Sequence, residues 1–243
     1  MRTAALNELE LTGRARTHIT QLEEPRCALH HGVVQPFVAM RAEAAQEGID
    51  LRPYSSFRDF DTQVLIWNRK FRGERTLYSR DGQVMDAAVL TEAQKIDAIL
   101  TWSALPGTSR HHWGTEIDVY DHAAMPEGYR VQLLPEEYAP DGVFGKLAQW
   151  LGPNLERFGF FRPYDQERGG ISPEPWHISY APVAALAQAA LTGDVVAQAL
   201  QAADLLGREL VLQSLPALLR QYVANVAQPS AIVLAHSSLQ PTA

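Results

Sequence analysis

Cysteine is nearly absent: the chain of 243 residues holds one, Cys27. A single thiol forms no intramolecular disulfide and cannot build a cysteine-rich zinc knot, so any bound metal has to be held by histidine and carboxylate. A cationic surplus is missing as well. With 21 Lys and Arg against 28 Asp and Glu the net charge is -7. That balance argues against nucleic acid or anionic membrane as a partner, because either needs a basic face to neutralise phosphate. No segment approaches the roughly 18 uninterrupted apolar residues of a membrane span. The first twenty residues carry scattered charges and lack the apolar core of a secretory leader. The expectation is therefore a cytoplasmic protein that engages neither membrane nor nucleic acid. Internal repeats are lacking too, which sets solenoids aside.

What is present is 46% hydrophobic residues, enough for one ordinary globular core with appendages. The predicted organisation is an N-terminal extension over 1–32, a main domain over 33–180 and a C-terminal helical appendage over 181–243. Apolar residues Val34, Phe37, Val38, Ala42 and Ala45 recur at helical spacing and stop at Gly48. Ile49 to Tyr54 reads as a short strand, placed at an edge by Pro53. Phe60 to Phe71 reads as a second helix, and Arg58 sits at the junction. Gly73 to Asp86 is polar, contains the Asp81-Gly82 turn signal, and reads as a surface excursion before a helix capped by Thr91 and Gln94.

Glu116 to Tyr120 alternates as a strand, with Glu116, Asp118 and Tyr120 on one face and Ile117 and Val119 on the other. Phe144 to Phe158 is helical with a break near Pro153. Trp176 to Tyr180 is another short strand, with His177 and Ser179 on one face. After Ala181 the Ala- and Leu-rich pattern predicts two or three helices, followed by a frayed tail beyond Gln228.

Chemistry concentrates in two segments, Ser109-x-His111 with Asp118 seven residues beyond, and Glu174-Pro175-Trp176-His177. A catalytic zinc site takes three ligands of His and carboxylate type and leaves one position to water. His111, Asp118 and His177 would fill it, with Glu174 free as general base. Spacing does not separate His111 from its neighbour His112. Neither segment has the one-turn His spacing of the helical H-E-x-x-H motif.

These segments, PGTSRHHWGTEIDVYD and EPWHISY, resemble the signature blocks of the VanY-type D-alanyl-D-alanine carboxypeptidases, S-x-H-x-x-G-x-x-x-D and E-x-W-H. Ser109, His111, Gly114, Asp118, Glu174, Trp176 and His177 meet every fixed position. SSFRDFDTQ is similar to a third block, with Ser55, Phe57, Arg58 and Gln63 matching and Asp59 departing from the usual hydroxyl residue. The resemblance selects His111 over His112. It implies zinc ligated by His111, Asp118 and His177, Glu174 as base, and Arg58 as the cation at the scissile carbonyl. Ser109 and Gln63 are carried over as substrate-binding, and Trp176 either packs in the core or walls the pocket for the terminal D-residue. Glu116 departs from the small residue usual two positions before the Asp. It is read as either a supporting contact to a ligand or a group that recognises a substrate amine.

The implied fold is α+β, a small, largely antiparallel sheet carrying a zinc cleft, with flanking helices and further C-terminal helices that either close over the cleft or form a homodimer contact. The implied activity is release of C-terminal D-alanine from a peptidoglycan stem peptide. The cytoplasmic expectation points to an L,D-carboxypeptidase acting on tetrapeptides in murein recycling. D,D-cleavage of pentapeptides, a murein endopeptidase, and an inert peptidoglycan-binding protein are the alternatives.

Overall fold

The computed structural model describes residues 5–234. Its centre is a four-stranded antiparallel sheet in the order β3-β6-β8-β7, numbered along the chain. Here β3 is Leu51–Ser55, β6 Glu116–Asp121, β7 Phe160–Phe161 and β8 His177–Tyr180. Pro53 cannot donate to a ladder on both sides, and β3 is accordingly an edge strand. The register sets Glu116 against Ser179, Ile117 against Ile178 and Asp118 against His177. The period-two alternation of both strands thereby becomes one apolar face and one polar face.

The apolar face packs on two helices, α2 (Val34–Gln46) and α5 (Gly145–Asn154). Ile117, Val119 and Ile178 meet Phe37, Met40, Leu147 and Leu151 there, all fully buried. Each such side chain contributes about 1.5–3 kcal/mol on leaving water. Pro153 lies in the last turn of α5, after which the chain tightens into a 3₁₀ turn, Leu155–Phe158, that ends at Gly159.

A second core lies apart from the first. It joins α3 (Phe60–Phe71) and α4 (Glu92–Trp102) to α7 (Gly193–Gln201) and α8 (Arg208–Leu218), through Trp67, Ile99, Leu100, Val196, Leu200 and Val211. Polar contacts reinforce it. Trp67 donates to the carbonyl of Leu206 at 3.0 Å, and the Asn68 amide both donates to Asp204 and accepts from Leu206. The C-terminal helices therefore brace α3 from behind. None of their residues lines the cleft described below.

Elements that the sequence pattern did not reveal also contribute. A hairpin of β1 (Ile19–Glu23) and β2 (Arg26–His30) precedes α2, after a short α1 (Glu8–Leu11). Cys27 and Leu29 of this hairpin join the first core. The polar excursion after α3 folds into a small hairpin, β4 (Leu77–Tyr78) and β5 (Val84–Met85), around Asp81-Gly82. α6 (Ala181–Ala190) follows β8 directly. In place of the frayed tail, α9 (Ala231–Leu234) buries Val233, and α6 and α9 pack together. The rest of that tail, from 235 on, lies outside the described residues. Among the described residues no single helix is long and apolar enough to cross a membrane.

Candidate active site and metal centre

The polar face of the sheet opens on a cavity of about 1070 Å³. One rim is the β4–β5 region and the other is the loop over 132–136. That loop is held by Glu137, which accepts hydrogen bonds from the Tyr129 hydroxyl and from the backbone of Gln132 and Leu134.

Four side chains meet at the floor. His111 reaches it from the 3₁₀ turn Arg110–Trp113, Asp118 from β6, His177 from β8, and Glu174 from the loop before β8. The turn closes on Gly114, whose φ is +67°. A Cβ there would stand 2.6 Å from the backbone nitrogen of His30, the group that donates to the Gly114 carbonyl. Glycine is required at this point both for its left-handed backbone and for the close approach.

Hydrogen bonds fix which ring nitrogens face the floor. His111 Nδ1 lies 2.8 Å from the Ser56 carbonyl, which only accepts, so Nδ1 carries the proton and Nε2 is left bare. That Nε2 is 3.4 Å from Asp118 Oδ2. His177 Nε2 donates to Glu116 Oε2 at 2.8 Å, which turns Nδ1 toward Asp118 Oδ1 and Glu174 Oε2, each at 3.1 Å. One donor atom each from His111, Asp118 and His177 fall within 4.8 Å of one another, and all three residues are buried. His112, next to His111, faces away. Its Nδ1 donates to the Arg58 carbonyl at 2.6 Å and its Nε2 accepts from Gly107.

The donor set fits a divalent ion. Ligands about 2.1 Å from a tetrahedral ion lie roughly 3.4 Å apart, and the Asp118 contacts with His111 and His177 are 3.4 and 3.1 Å. Asp118 Oδ1 is buried, and its only close polar neighbour among the described residues is His177 Nδ1 at 3.1 Å, too poorly aligned for a full hydrogen bond, a costly state for a carboxylate oxygen that a cation relieves. Three carboxylates, from Asp118, Glu116 and Glu174, surround one imidazole. Burial would lower the His177 ring, but bonds to these three acids raise it well above the ordinary value. Burial lowers His111 to about 3, so it is a neutral ligand-type imidazole. Burial would raise Asp118, yet His111, His177 and Arg58 hold it well below the usual carboxylate range. Glu174 moves the other way: burial raises it, assisted by the Asp118 charge and opposed by His177 and Arg58.

Arg58 stands over this floor. Its guanidinium donates to Gln63 Oε1 at 3.0 Å and Ser55 Oγ at 3.1 Å, both neutral, so its charge is aimed without being cancelled. Gln63 is fully buried, and its amide nitrogen is spent on Ala104 O and Ser103 Oγ. Gln63 therefore acts by holding Arg58, which differs from the expectation of a direct substrate contact. Ser109 and Trp176 both line the cavity. Trp176 is only 4% exposed and stacks near Tyr138, so it packs in the core and walls the cleft at once.

Glu116 resolves in favour of the supporting contact. It is fully buried and accepts from His177, Ser179 and Thr115, with Arg110 at 3.2 Å. Arg110 in turn donates to Ser179 and to Gln188 of α6, and lies over the Trp113 ring at 4.8 Å. Sequence reasoning missed Arg110, Ser56 and Tyr164, whose ring meets His177 at 4.9 Å. Arg110 sits inside a recognised block, but only the fold reveals that it turns inward. Tyr164 had no signal.

A sequence profile described as VanY, D-alanyl-D-alanine carboxypeptidase, matches residues 26–183. An uncharacterized protein of Haemophilus influenzae is 36% identical over 125 residues, 51% of this chain and 95% of its own length. A D-alanyl-D-alanine carboxypeptidase of Enterococcus faecalis is 33% identical over 98 residues, 39% of this chain and 31% of that protein. Among solved structures, VanYB in complex with D-alanine-D-alanine aligns with a TM-score of 0.49 at 25% identity, covering 70% of this chain and 80% of that one.

Proposed function

The chain belongs to the VanY D-alanyl-D-alanine carboxypeptidase family, and from that premise we propose that it is a zinc-dependent carboxypeptidase releasing D-alanine from the end of peptidoglycan stem peptides, with the L,D bond of a tetrapeptide as its substrate. The observation that carries the reading is the buried cluster of His111, Asp118 and His177 with Glu174 Oε2 3.1 Å from His177. Two imidazoles and one carboxylate suit zinc, which supplies Lewis acidity toward a carbonyl oxygen and lowers the pKa of a water.

The chain's own residues then divide the work. Glu174, its carboxyl raised by burial, accepts a proton from the attacking water as the new C–O bond forms at the scissile carbonyl. Arg58 faces the oxygen on which negative charge develops, a role worth several kcal/mol for a fixed donor in a dry cleft. When the C–N bond breaks, Glu174 returns its proton to the departing amine, so that D-alanine leaves neutral at nitrogen and the shortened peptide holds a new carboxylic acid, whose remaining water proton then passes to the released amine or to solvent. Ser109 and Trp176, both at the cavity wall, position the terminal residue. Tetrapeptide is placed ahead of pentapeptide because a chain with a single cysteine is suited to a reducing compartment, where shortened stem peptides are recycled.

The test is to incubate zinc-loaded protein separately with a murein tetrapeptide and pentapeptide, beside a Glu174→Gln control, and identify released amino acids by mass spectrometry. D-alanine from the tetrapeptide alone, lost in the control, is the expected result. Release from the pentapeptide alone would replace the L,D reading with a D,D one. Internal cleavage or none, with metal bound, would overturn the carboxypeptidase reading.

A further inference from the structure

The cleft is lined by acids at its rim, Glu74, Asp81 and Glu136, as well as at its floor, and also by cations that its chemistry does not use. Of the cations at its wall, Arg80 is paired with Glu167 at 2.8 Å, and Arg58 is held by neutral partners above the floor. Two further cations, Lys70 and Arg75, also line the cavity. Among the described residues neither side chain has a carboxylate within ion-pair distance, and neither makes a hydrogen bond, although the chain carries seven more acids than bases.

Lys70 sits near the end of α3, seven positions after Gln63. Two helical turns separate them, so both lie on one face of the helix, about 10 Å apart along its axis. The helix that fixes Arg58 through Gln63 thus carries Lys70 on the same side, along the cleft. A lysine in a last helical turn ordinarily serves the helix dipole from solvent, and Arg69, exposed beside it, fills that role. Lys70 is instead half-buried. Burial brings its ammonium down to about 8, with Glu174 opposing and Arg75 and Arg58 adding to the fall. The acids at the floor are already engaged: Glu174 and Asp118 with His177, Glu116 with Arg110. A desolvated cation with no counter-ion costs stability unless a ligand supplies the charge.

We propose that Lys70, backed by Arg75, is a carboxylate-binding position of the cleft that anchors the peptide substrate by one of its free carboxylates. The inference rests on the peptidase reading of the site. The anchoring group is a carboxylate, from either the C-terminus of the peptide or an internal acid. A C-terminal anchor would also explain attack at the last bond, since an ammonium set to receive a chain end rejects a continuing backbone. Arg75, exposed at the rim, adds attraction at longer range, and Lys70 makes the contact.

The experiment is steady-state kinetics of the zinc-loaded chain, wild type against Lys70→Met, Lys70→Arg and Arg75→Ala. Three D-alanine-ending peptides are compared: one with all carboxylates free, one amidated at the C-terminus, and one amidated at its internal acids. On the free peptide Lys70→Met should raise KM about tenfold or more, the scale of one charge-assisted hydrogen bond, with kcat within about twofold. Lys70→Arg should largely restore KM, which also shows that the helix is intact, and Arg75→Ala should give a smaller rise. Loss of the Lys70→Met effect on the C-terminal amide identifies the chain end as the anchor, and loss on the internally amidated peptide identifies an internal acid. If the wild type releases D-alanine while Lys70→Met leaves KM unchanged, or raises it equally on all three peptides, the anchor is overturned and the peptidase reading stands. If the wild type releases nothing from any peptide, both fall.

Discussion

The two faces of the central sheet are made by the same strands and are almost equally buried, yet they do opposite things. On one, Ile117, Val119 and Ile178 are fully buried against α2 and α5. On the other, one residue along each strand, Glu116, Asp118, His177 and Ser179 are at most 5% exposed. The apolar face is held by many small, non-directional contacts, and its losses should follow volume and area. The polar face is a closed set of directed bonds in which each charge exists because its neighbour does, and its losses should be discontinuous. Burial by itself therefore says little about what a residue in this sheet contributes; the direction of its partners says more.

The comparison is tested most severely at Arg58. Replacing it by Ala should cut kcat on a D-alanine-ending peptide by about 100- to 1000-fold, the usual cost of an oxyanion donor, with bound zinc per chain unchanged by atomic absorption. Next comes Glu116→Gln. Removing the charge that fixes His177 should weaken zinc binding by about 10- to 100-fold in chelator competition, a loss that no apolar-face substitution should produce. Ile178→Ala, one position from His177 but on the other face, should lower the free energy of unfolding by about 2–4 kcal/mol in urea while leaving kcat per folded molecule near wild type. If it instead changed metal affinity as Glu116→Gln does, the separation of the two faces would fail.

The smallest expected effect concerns acid stability. His30, fully buried behind the site, has its pKa lowered to about 3 by burial and by its neighbours His31 and His18. The unfolded chain binds this proton near pH 6.5 and the folded one does not, so stability should fall as pH drops from about 6.5 toward 3 and level off below. Urea midpoints of the metal-free protein between pH 7 and pH 4 should show this slope, and His30→Gln should flatten it by about 1 kcal/mol or more. An unchanged slope would assign the acid limb to other groups.

Much of the fold was legible because strands and helices announce themselves by period. The alternation over Glu116–Tyr120 placed both carboxylates on one face, and Gly48 and Thr91 marked element ends where the structure has them. The β1–β2 hairpin was not legible. Its strands carry polar and apolar residues without clean alternation, and only packing of Cys27 and Leu29 against α2 orders them. His111 and His112 are indistinguishable by spacing because a tight 3₁₀ turn sends adjacent side chains in different directions. The carbonyls of Ser56 and Arg58 receive one each. Gln63 carried a family signal, but its spent hydrogen bonds show a holding role that no motif states.

Local sequence, then, determined which donor groups exist, in what order, and on which face of each strand, because those depend on residue type and on a two-residue or 3.6-residue period. Tertiary structure alone decided that Asp118 stands opposite His177, that Glu116 and Arg110 support the ring from behind, and that Lys70 lines the cleft with no ion-pair partner among the described residues. The pairings of His177 with Asp118 and Glu116 join residues about sixty positions apart. Their geometry follows from strand register and from the packing of α3 between α4 and the C-terminal helices, information that no local window of the chain contains.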